Sequence, residues 1–576
     1  MSWRALALVA LAACPLSCTQ RSRTDVAAAG APAAARPPAQ PSAGDLRRSG
    51  TVRLAITCAP AVRAPFQDAL ALLHSFFYDE ARRRFTAIAE RDPDCAMAWW
   101  GVAMTWYHPL WAPPTQEEMT AGAAAAREAR ARLAGASDLE RGLVEAIDAY
   151  YRTGAEIADP AAPVEPSCHG PRAPTARAEA FRRGMERLRA RHPGELEVKV
   201  FTALALLATA PPGDRSFRNQ LAAATILEPL LSRHPDHPGV AHYLIHAYDY
   251  PELAERGLAA ARRYDDVAPW VPHALHMPSH IYTRLGMWQE SIESNRRAAA
   301  ASRDHARRAF GGATWFEELH ALDYLAFAHL QRGEHRAVRR ILRRLRSLDR
   351  LAEPNVTAAY ALGAIPARFA LERRRWRDAA ALEFVQPEVI HRFPFAAAHV
   401  WFARALGAAR SGDVPRARWA VRALEQVQSA LDDPELRWWS DQVGIQRLAA
   451  SGWLAHAEGR QVDALRLLGE AAALEERAGT HPVTPGQILP AREQRGDLLM
   501  LLDRPAEALV EYEAALAAFP GRFNAHLGAA RAAQLSGDDE RARFHYARVI
   551  ELGDQGDGWV AEVRVARGYL TARASR

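Results

Sequence analysis

Two short phrases hold the residues best suited to chemistry. His242, His246 and Tyr248 lie in Ala-His-Tyr-Leu-Ile-His-Ala-Tyr, and His276, His280 and Tyr282 lie in Leu-His-Met-Pro-Ser-His-Ile-Tyr. Each member of the first set precedes its counterpart by 34 residues, and so does Pro238 its counterpart Pro272. Within a phrase the histidines are four apart, so on a helix they share a face. If the two helices are equivalent members of stacked repeats, roughly 10 Å apart, their four imidazoles make a two-by-two patch. His273 adds a fifth imidazole one turn before His276. His320 and Tyr324 follow His276 and His280 by 44 residues, one period plus a ten-residue insertion that Gly311-Gly312 marks, and extend the set. Glu317, one turn before His320, and Asp249, one turn after His246, supply carboxylates.

Imidazole binds divalent transition metals at about 2.0–2.1 Å, and three or four of them make a closed or an open site. A divalent transition metal such as zinc is one cofactor this pattern suits, and a metal-dependent enzyme is then the alternative to a binding or scaffold protein. Paired His and Tyr also serve as acid–base groups or hold an anion. The third reading is structural: buried His and Tyr at repeat positions hydrogen-bond neighbouring helices. Neither phrase has Glu after its first His, so neither is a His-Glu-x-x-His zinc-protease motif. Pro278 either kinks a helix running from His273 to Tyr282, freeing the Ala274 carbonyl, or starts it later.

Other candidates are more isolated. His74 sits in Leu-Leu-His-Ser-Phe-Phe-Tyr, and His108 in Trp-Tyr-His-Pro-Leu-Trp, surrounded by Trp99, Trp100, Trp106 and Trp111. Such an aromatic cluster is either core or a ligand platform. His481-Pro-Val-Thr-Pro-Gly followed by Arg492 and Glu493 is either a loop projecting into a groove or a solvated connection.

The elements that must position these residues are helices. No hairpin signal for strands occurs, and amphipathic stretches recur between Gly, Pro or Asp. Ala508, Tyr512 and Ala515 return 34 residues later as Ala542, Tyr546 and Val549, and Ala81, Phe85, Ile88 and Pro93 have the offsets of Ala508, Tyr512, Ala515 and Pro520. Gly286, Gly333, Gly412, Gly459 and Gly537 each precede by five residues a packing position: Ser291, Val338, Ala417, Ala464 and Ala542. This pattern resembles the tetratricopeptide repeat (TPR). The resemblance implies an all-α fold, a right-handed superhelical solenoid of antiparallel helix pairs, with roughly eight to ten pairs at this length. It also implies a concave groove that takes a protein, a peptide or a small molecule. Several phrases, His242-Tyr-Leu-Ile-His-Ala and His273-Ala-Leu-His-Met-Pro-Ser-His-Ile-Tyr among them, are similar to a group of bacterial TPR proteins. That likeness spans roughly residues 55 to 550 and implies a fold without an activity.

The chain has 576 residues, 49% of them hydrophobic, with a net charge of +6. Its basic residues are nearly all Arg, with Lys199 the only Lys, which fits GC-rich coding better than a nucleic-acid partner. In the densest basic run, Arg336 to Arg350, Val338, Leu342 and Leu345 recur at helical spacing and leave the arginines on the outer face, either simply solvated or a surface for a polyanion or lipid headgroup. Residues 1–18 read as a lipoprotein signal peptide, with Cys14 or Cys18 as the lipidated residue, and 19–50 as a disordered Ala/Pro-rich tether. Repeats with the His-rich pair then occupy 51–310, and further repeats 311–576. The expected location is the bacterial periplasm or cell envelope, with a lipid anchor as the only membrane contact. Export favours disulfides. Of Cys58, Cys95 and Cys168, a Cys58–Cys95 bridge would staple the start of the fold to the first repeat, and free buried thiols are the alternative. No Gly-x-x-x-x-Gly-Lys and no Gly-x-Ser-x-Gly occurs, so neither phosphate-loop nor serine-hydrolase chemistry is indicated.

Overall fold

The computed structural model describes residues 49–110, 114–153, 176–211, 213–433, 436–479 and 484–574. The segments read as signal peptide and tether, with Cys14 and Cys18, lie outside the described residues, as do Trp111, Cys168 and His481. Among the described residues the fold is all-α, with one isolated bridge between Thr314 and Leu351 in place of any sheet. No described helix is long and apolar enough to cross a membrane.

The helices pair in chain order as antiparallel hairpins of a TPR-like solenoid, from Pro60–His74 with Tyr78–Arg91 to Phe523–Leu535 with Asp539–Gly553. Twelve such hairpins occur among the described residues. This exceeds the eight to ten expected, because several units lack the glycine that marks a turn. The turn itself is constant. Gly286, Gly333, Gly412, Gly459 and Gly537 all have positive φ, and at the same offset before Ala81, Ala379 and Ala508 stand Phe76 (φ 53°), Arg374 (φ 53°) and Asp503 (φ 56°). A left-handed residue there costs a non-glycine about 1–2 kcal/mol, so packing around those three side chains must hold the conformation.

Amphipathic patterning decides which side of each helix is buried. In His335–Arg346, Val338, Ile341, Leu342 and Leu345 are inside. Of its arginines, Arg344 reaches Glu318 and Thr314 at 3.1 and 2.9 Å. The first helix of a hairpin is covered on more sides than the second: in Phe316–Gln331, residues 317–331 are all buried.

The first described residues form an extended arm, with Val52, Leu54, Ile56 and Cys58 buried in alternation. Its backbone is held by side chains of the hairpins it crosses: Leu54 N donates to Gln67 Oε1 (2.9 Å), Thr57 N to Glu140 Oε1 (2.7 Å) and Ala59 N to Asp92 Oδ2 (2.7 Å). A Cys58–Cys95 disulfide, with Cα atoms 4.9 Å apart, staples the arm to the turn before the second hairpin.

At the other end the fold departs from an open solenoid. Residues 484–559 return against helices between 284 and 372. Trp288 Nε1 donates to the Gly521 carbonyl at 2.9 Å. Arg522 lies buried between Glu372 (2.9 Å) and Glu493 (2.8 Å), and Asn524 Nδ2 donates to the Glu372 carbonyl at 2.8 Å. Trp559 stacks on Phe523 at 4.6 Å and covers Gly333. The groove expected along the central repeats is therefore filled there by the protein's own last hairpins.

Candidate metal centre

His242 and His246 stand on helix Pro238–Tyr248, which Pro238 starts and His237 caps, its Nδ1 accepting from Val240 N at 3.3 Å. Four residues of helix bring the two rings onto one face, with Nε2 atoms 3.1 Å apart. His273 joins them from the next repeat, its ring 5.1 Å from that of His242 and 6.5 Å from that of His246. Pro278 divides the following segment into helices Pro272–His276 and Pro278–Arg284 without reversing the chain. His276 and His280 consequently remain together, with Nε2 atoms 3.0 Å apart. His320, on Phe316–Gln331, completes a second set, its ring 4.2 Å from that of His276 and 6.2 Å from that of His280. In each set, one ligand atom per residue lies within 4.8 Å of the others. The expected two-by-two patch is thus two adjacent triads, because His273 and His320 insert beside the pairs.

The outward nitrogens are committed. His242 Nδ1 donates to the His74 carbonyl at 2.6 Å, His276 Nδ1 to Asn295 Oδ1 at 2.6 Å, and His280 Nδ1 to Asp249 Oδ2 at 2.8 Å. Arg284 Nε donates to the other Asp249 oxygen at 2.9 Å. These bonds fix the tautomer that leaves Nε2 with its lone pair. In the second pair two bare Nε2 atoms therefore face each other, and a cation between them would remove that repulsion; in the first, His246 Nε2 faces the bare Nε2 of His242. Two imidazoles on one tetrahedral zinc would have their nitrogens about 3.3 Å apart, close to the separations observed. Burial, and next the neighbouring imidazoles, push the pKa values of His242, His246 and His276 well below the usual histidine value. The rings are therefore neutral at pH 7, the form that ligates. Burial opposes ionisation of Asp249, but Arg284 and His280 outweigh it and hold the carboxyl at about 2.

Aromatic rings enclose the first triad. The ring of Phe76, the residue in the left-handed turn, lies 4.4, 5.8 and 5.7 Å from those of His242, His246 and His273. Tyr264 stacks on His242 at 5.3 Å. In the second triad Tyr324 packs on His276 and His280 at 4.8 and 5.0 Å.

No protein-family model and no curated protein matches the sequence. Among solved structures, the crystal structure of yeast Tom70 is similar at a TM-score of 0.33 and 10% identity, over 89% of this chain and 96% of that one. A likeness at that level carries no argument about function.

The remaining candidates fall in different places. His74 is buried beside the site: its carbonyl serves His242, while its ring meets Tyr243 Oη (3.0 Å) and Glu197 (2.8 Å). His237 binds the second Glu197 oxygen at 3.0 Å, giving a His–Glu–His cluster that no spacing in the sequence announced. Glu317, a candidate carboxylate, approaches His273 Nδ1 at 3.5 Å. Tyr248 and Tyr282 are turned away from the imidazoles. Tyr248 bonds Glu228 under Arg256, and Tyr282 faces Asp265 and Glu290. Two residues of helix rotate a side chain by about 200°, so these tyrosines could not share the histidine face. His108 packs on Tyr78 at 4.7 Å, apart from both triads. Trp100 is core, against Phe66 and Phe201. Glu493 is spent on Arg522 and projects into no groove. The loop before it does reach the site's support: the Pro485 carbonyl accepts from Arg284 Nη1 at 3.4 Å, and Thr484 and Gly486 bind buried Arg368 at 3.0 and 2.6 Å.

Proposed function

We propose that the protein is a metal-dependent helical-repeat protein whose working centre is the pair of imidazole triads His242/His246/His273 and His276/His280/His320. The observation that carries this reading is the facing of Nε2 atoms at 3.0 and 3.1 Å while Nδ1 atoms of His242, His276 and His280 are held by acceptors. Such outward acceptors are what orient ligating imidazoles in metal sites. Three imidazoles per ion leave a position for water or substrate, the arrangement of catalytic sites. Export and tethering through Cys14 or Cys18 belong to the same proposal, and the Cys58–Cys95 disulfide supports an oxidising compartment.

The test is a thermal melt of the chelator-stripped full chain with zinc or copper added. A ligand that binds only the folded form raises Tm with concentration. The expected result is a rise that His276→Ala and His280→Ala abolish. No rise in the native sequence refutes the reading.

A second reading, a scaffold that binds a protein, accords with the TPR-like fold. It is favoured by exposed Leu501, Val510, Leu535 and Phe544 on the last hairpins, on the surface that the filled central groove leaves available.

A further inference from the structure

The two triads meet at His273 and His276. These stand one turn apart on the helix Pro272–His276, one serving each triad, with rings 6.4 Å apart. Two ions, one per triad, would therefore be near neighbours.

The donor set narrows the metal. The six candidate ligands are all imidazoles. Of the carboxylates nearby, Asp249 is bonded to His280 Nδ1 at 2.8 Å and Glu317 lies 3.5 Å from His273 Nδ1. Cys58 and Cys95 are consumed in their disulfide. Imidazole suits copper, zinc, iron and nickel, and among these divalent ions copper binds a nitrogen site most strongly. A structural zinc would be closed by a fourth protein ligand, whereas each triad offers three.

Charge decides what lies between the ions. Neutral imidazoles cannot offset two divalent cations, and Asp249 is already balanced by Arg284 at 2.9 Å. Buried charge needs compensation. A small anionic oxygen ligand shared by both ions would supply it, and the ring of Phe76 packs over the first triad.

We propose that the two triads form one dinuclear copper centre that takes dioxygen between its ions; this rests on the metal-binding reading above. With both ions as Cu(I), each gives one electron to the bound molecule. The O–O double bond becomes a single bond, the bridging unit is then peroxide, and both ions are Cu(II). That step consumes no proton and no outside reductant.

The experiment uses the full chain, stripped of metal, loaded with Cu(I) without oxygen and then exposed to dioxygen. Copper per chain, oxygen taken up and the electron paramagnetic resonance (EPR) spectrum are measured, with circular dichroism to confirm folding. The expected result is two copper ions per chain, one dioxygen per two copper ions, and a nearly silent spectrum from paired Cu(II) spins. His246→Ala and His320→Ala should each leave one copper, fully visible by EPR and without stoichiometric oxygen uptake. Two copper ions visible as isolated Cu(II) in the native sequence overturn the dinuclear proposal and leave the metal-binding reading standing; so does a single copper per chain, or failure to take up oxygen. A folded protein that binds neither copper nor zinc overturns both.

Discussion

His280 Nδ1 lies 2.8 Å from Asp249 Oδ2, and Arg284 holds the other Asp249 oxygen. The carboxylate comes from the end of one repeat and the imidazole from the next, so the contact both joins two repeats and orients a candidate ligand. Asp249→Asn keeps an acceptor but removes the charge that holds the His280 ring in place. Changes at such positions typically cost about 10–100-fold in metal affinity, and that loss is expected in a competition titration against a chelating dye. The same change leaves the Arg284 guanidinium buried without its counter-ion, a loss of about 3–5 kcal/mol in the metal-free protein, to be read by urea denaturation.

Phe76 occupies a turn position where five other units use glycine. Its strain is tolerated because the ring packs on His242, His246 and His273. In Phe76→Gly the relief of about 1–2 kcal/mol is smaller than the about 3–5 kcal/mol lost on removing a buried aromatic ring. A net destabilisation of roughly 2 kcal/mol is expected. Metal release to a chelator should also be faster, because water gains access to the first triad. Release at the native rate would show that Phe76 has no shielding role.

Three histidines away from the triads set an acid limit. Burial holds His399 and His526 at about 3 and His335 at about 4. Their lesser influences are Arg368 for His399, His545 for His526 and Arg373 for His335. In the unfolded chain each titrates near 6.5. Above that value both states are neutral and stability does not depend on these groups. As pH falls below 6.5 the unfolded chain takes up protons that the folded chain refuses, so stability declines until the folded values are reached. The slope is about 1.4 kcal/mol per pH unit per histidine. Urea denaturation from pH 6.5 to 4.5 should show the decline, and His399→Gln should make it shallower by one proton. An unchanged slope in that variant would place the acid sensitivity elsewhere.

The Cys58–Cys95 bridge spans 37 residues of sequence. Closing a loop of that size in the unfolded chain is worth about 4 kcal/mol in the chain-entropy model. Cys58→Ser should lower the stability of the full chain by that order, measured by denaturant unfolding with and without reductant. The arm's hydrogen bonds to Gln67, Glu140 and Asp92 remain, so the variant is expected to fold.

Much of this was legible in the sequence because helical geometry is local. The offset of five residues from Gly286, Gly333 or Gly537 to its packing position gave the turn. The i, i+4 spacing gave the His242/His246 and His276/His280 pairs. What was misread or hidden has physical causes. Tyr248 and Tyr282 share the repeat offset but point to another side of the helix, since repetition in sequence does not imply a shared face. Phe76 breaks the glycine pattern, and only its neighbours explain why. Trp288 with Gly521, and Arg522 with Glu372, are joined across long stretches of chain. No periodicity encodes such pairs, so the filling of the central groove was not foreseeable. The Glu197 link between His74 and His237 was hidden for the same reason.

The central claim is that metal sits among the imidazoles, and anomalous X-ray diffraction from crystals of the metal-loaded full chain tests it most directly. The account predicts anomalous peaks about 2.0–2.1 Å from Nε2 of His276 and His280 and of His242 and His246, with His320 and His273 as third ligands. Peaks confined to surface histidines, or hydrogen-bonded water between rings that stay bare under saturating zinc or copper, would contradict it.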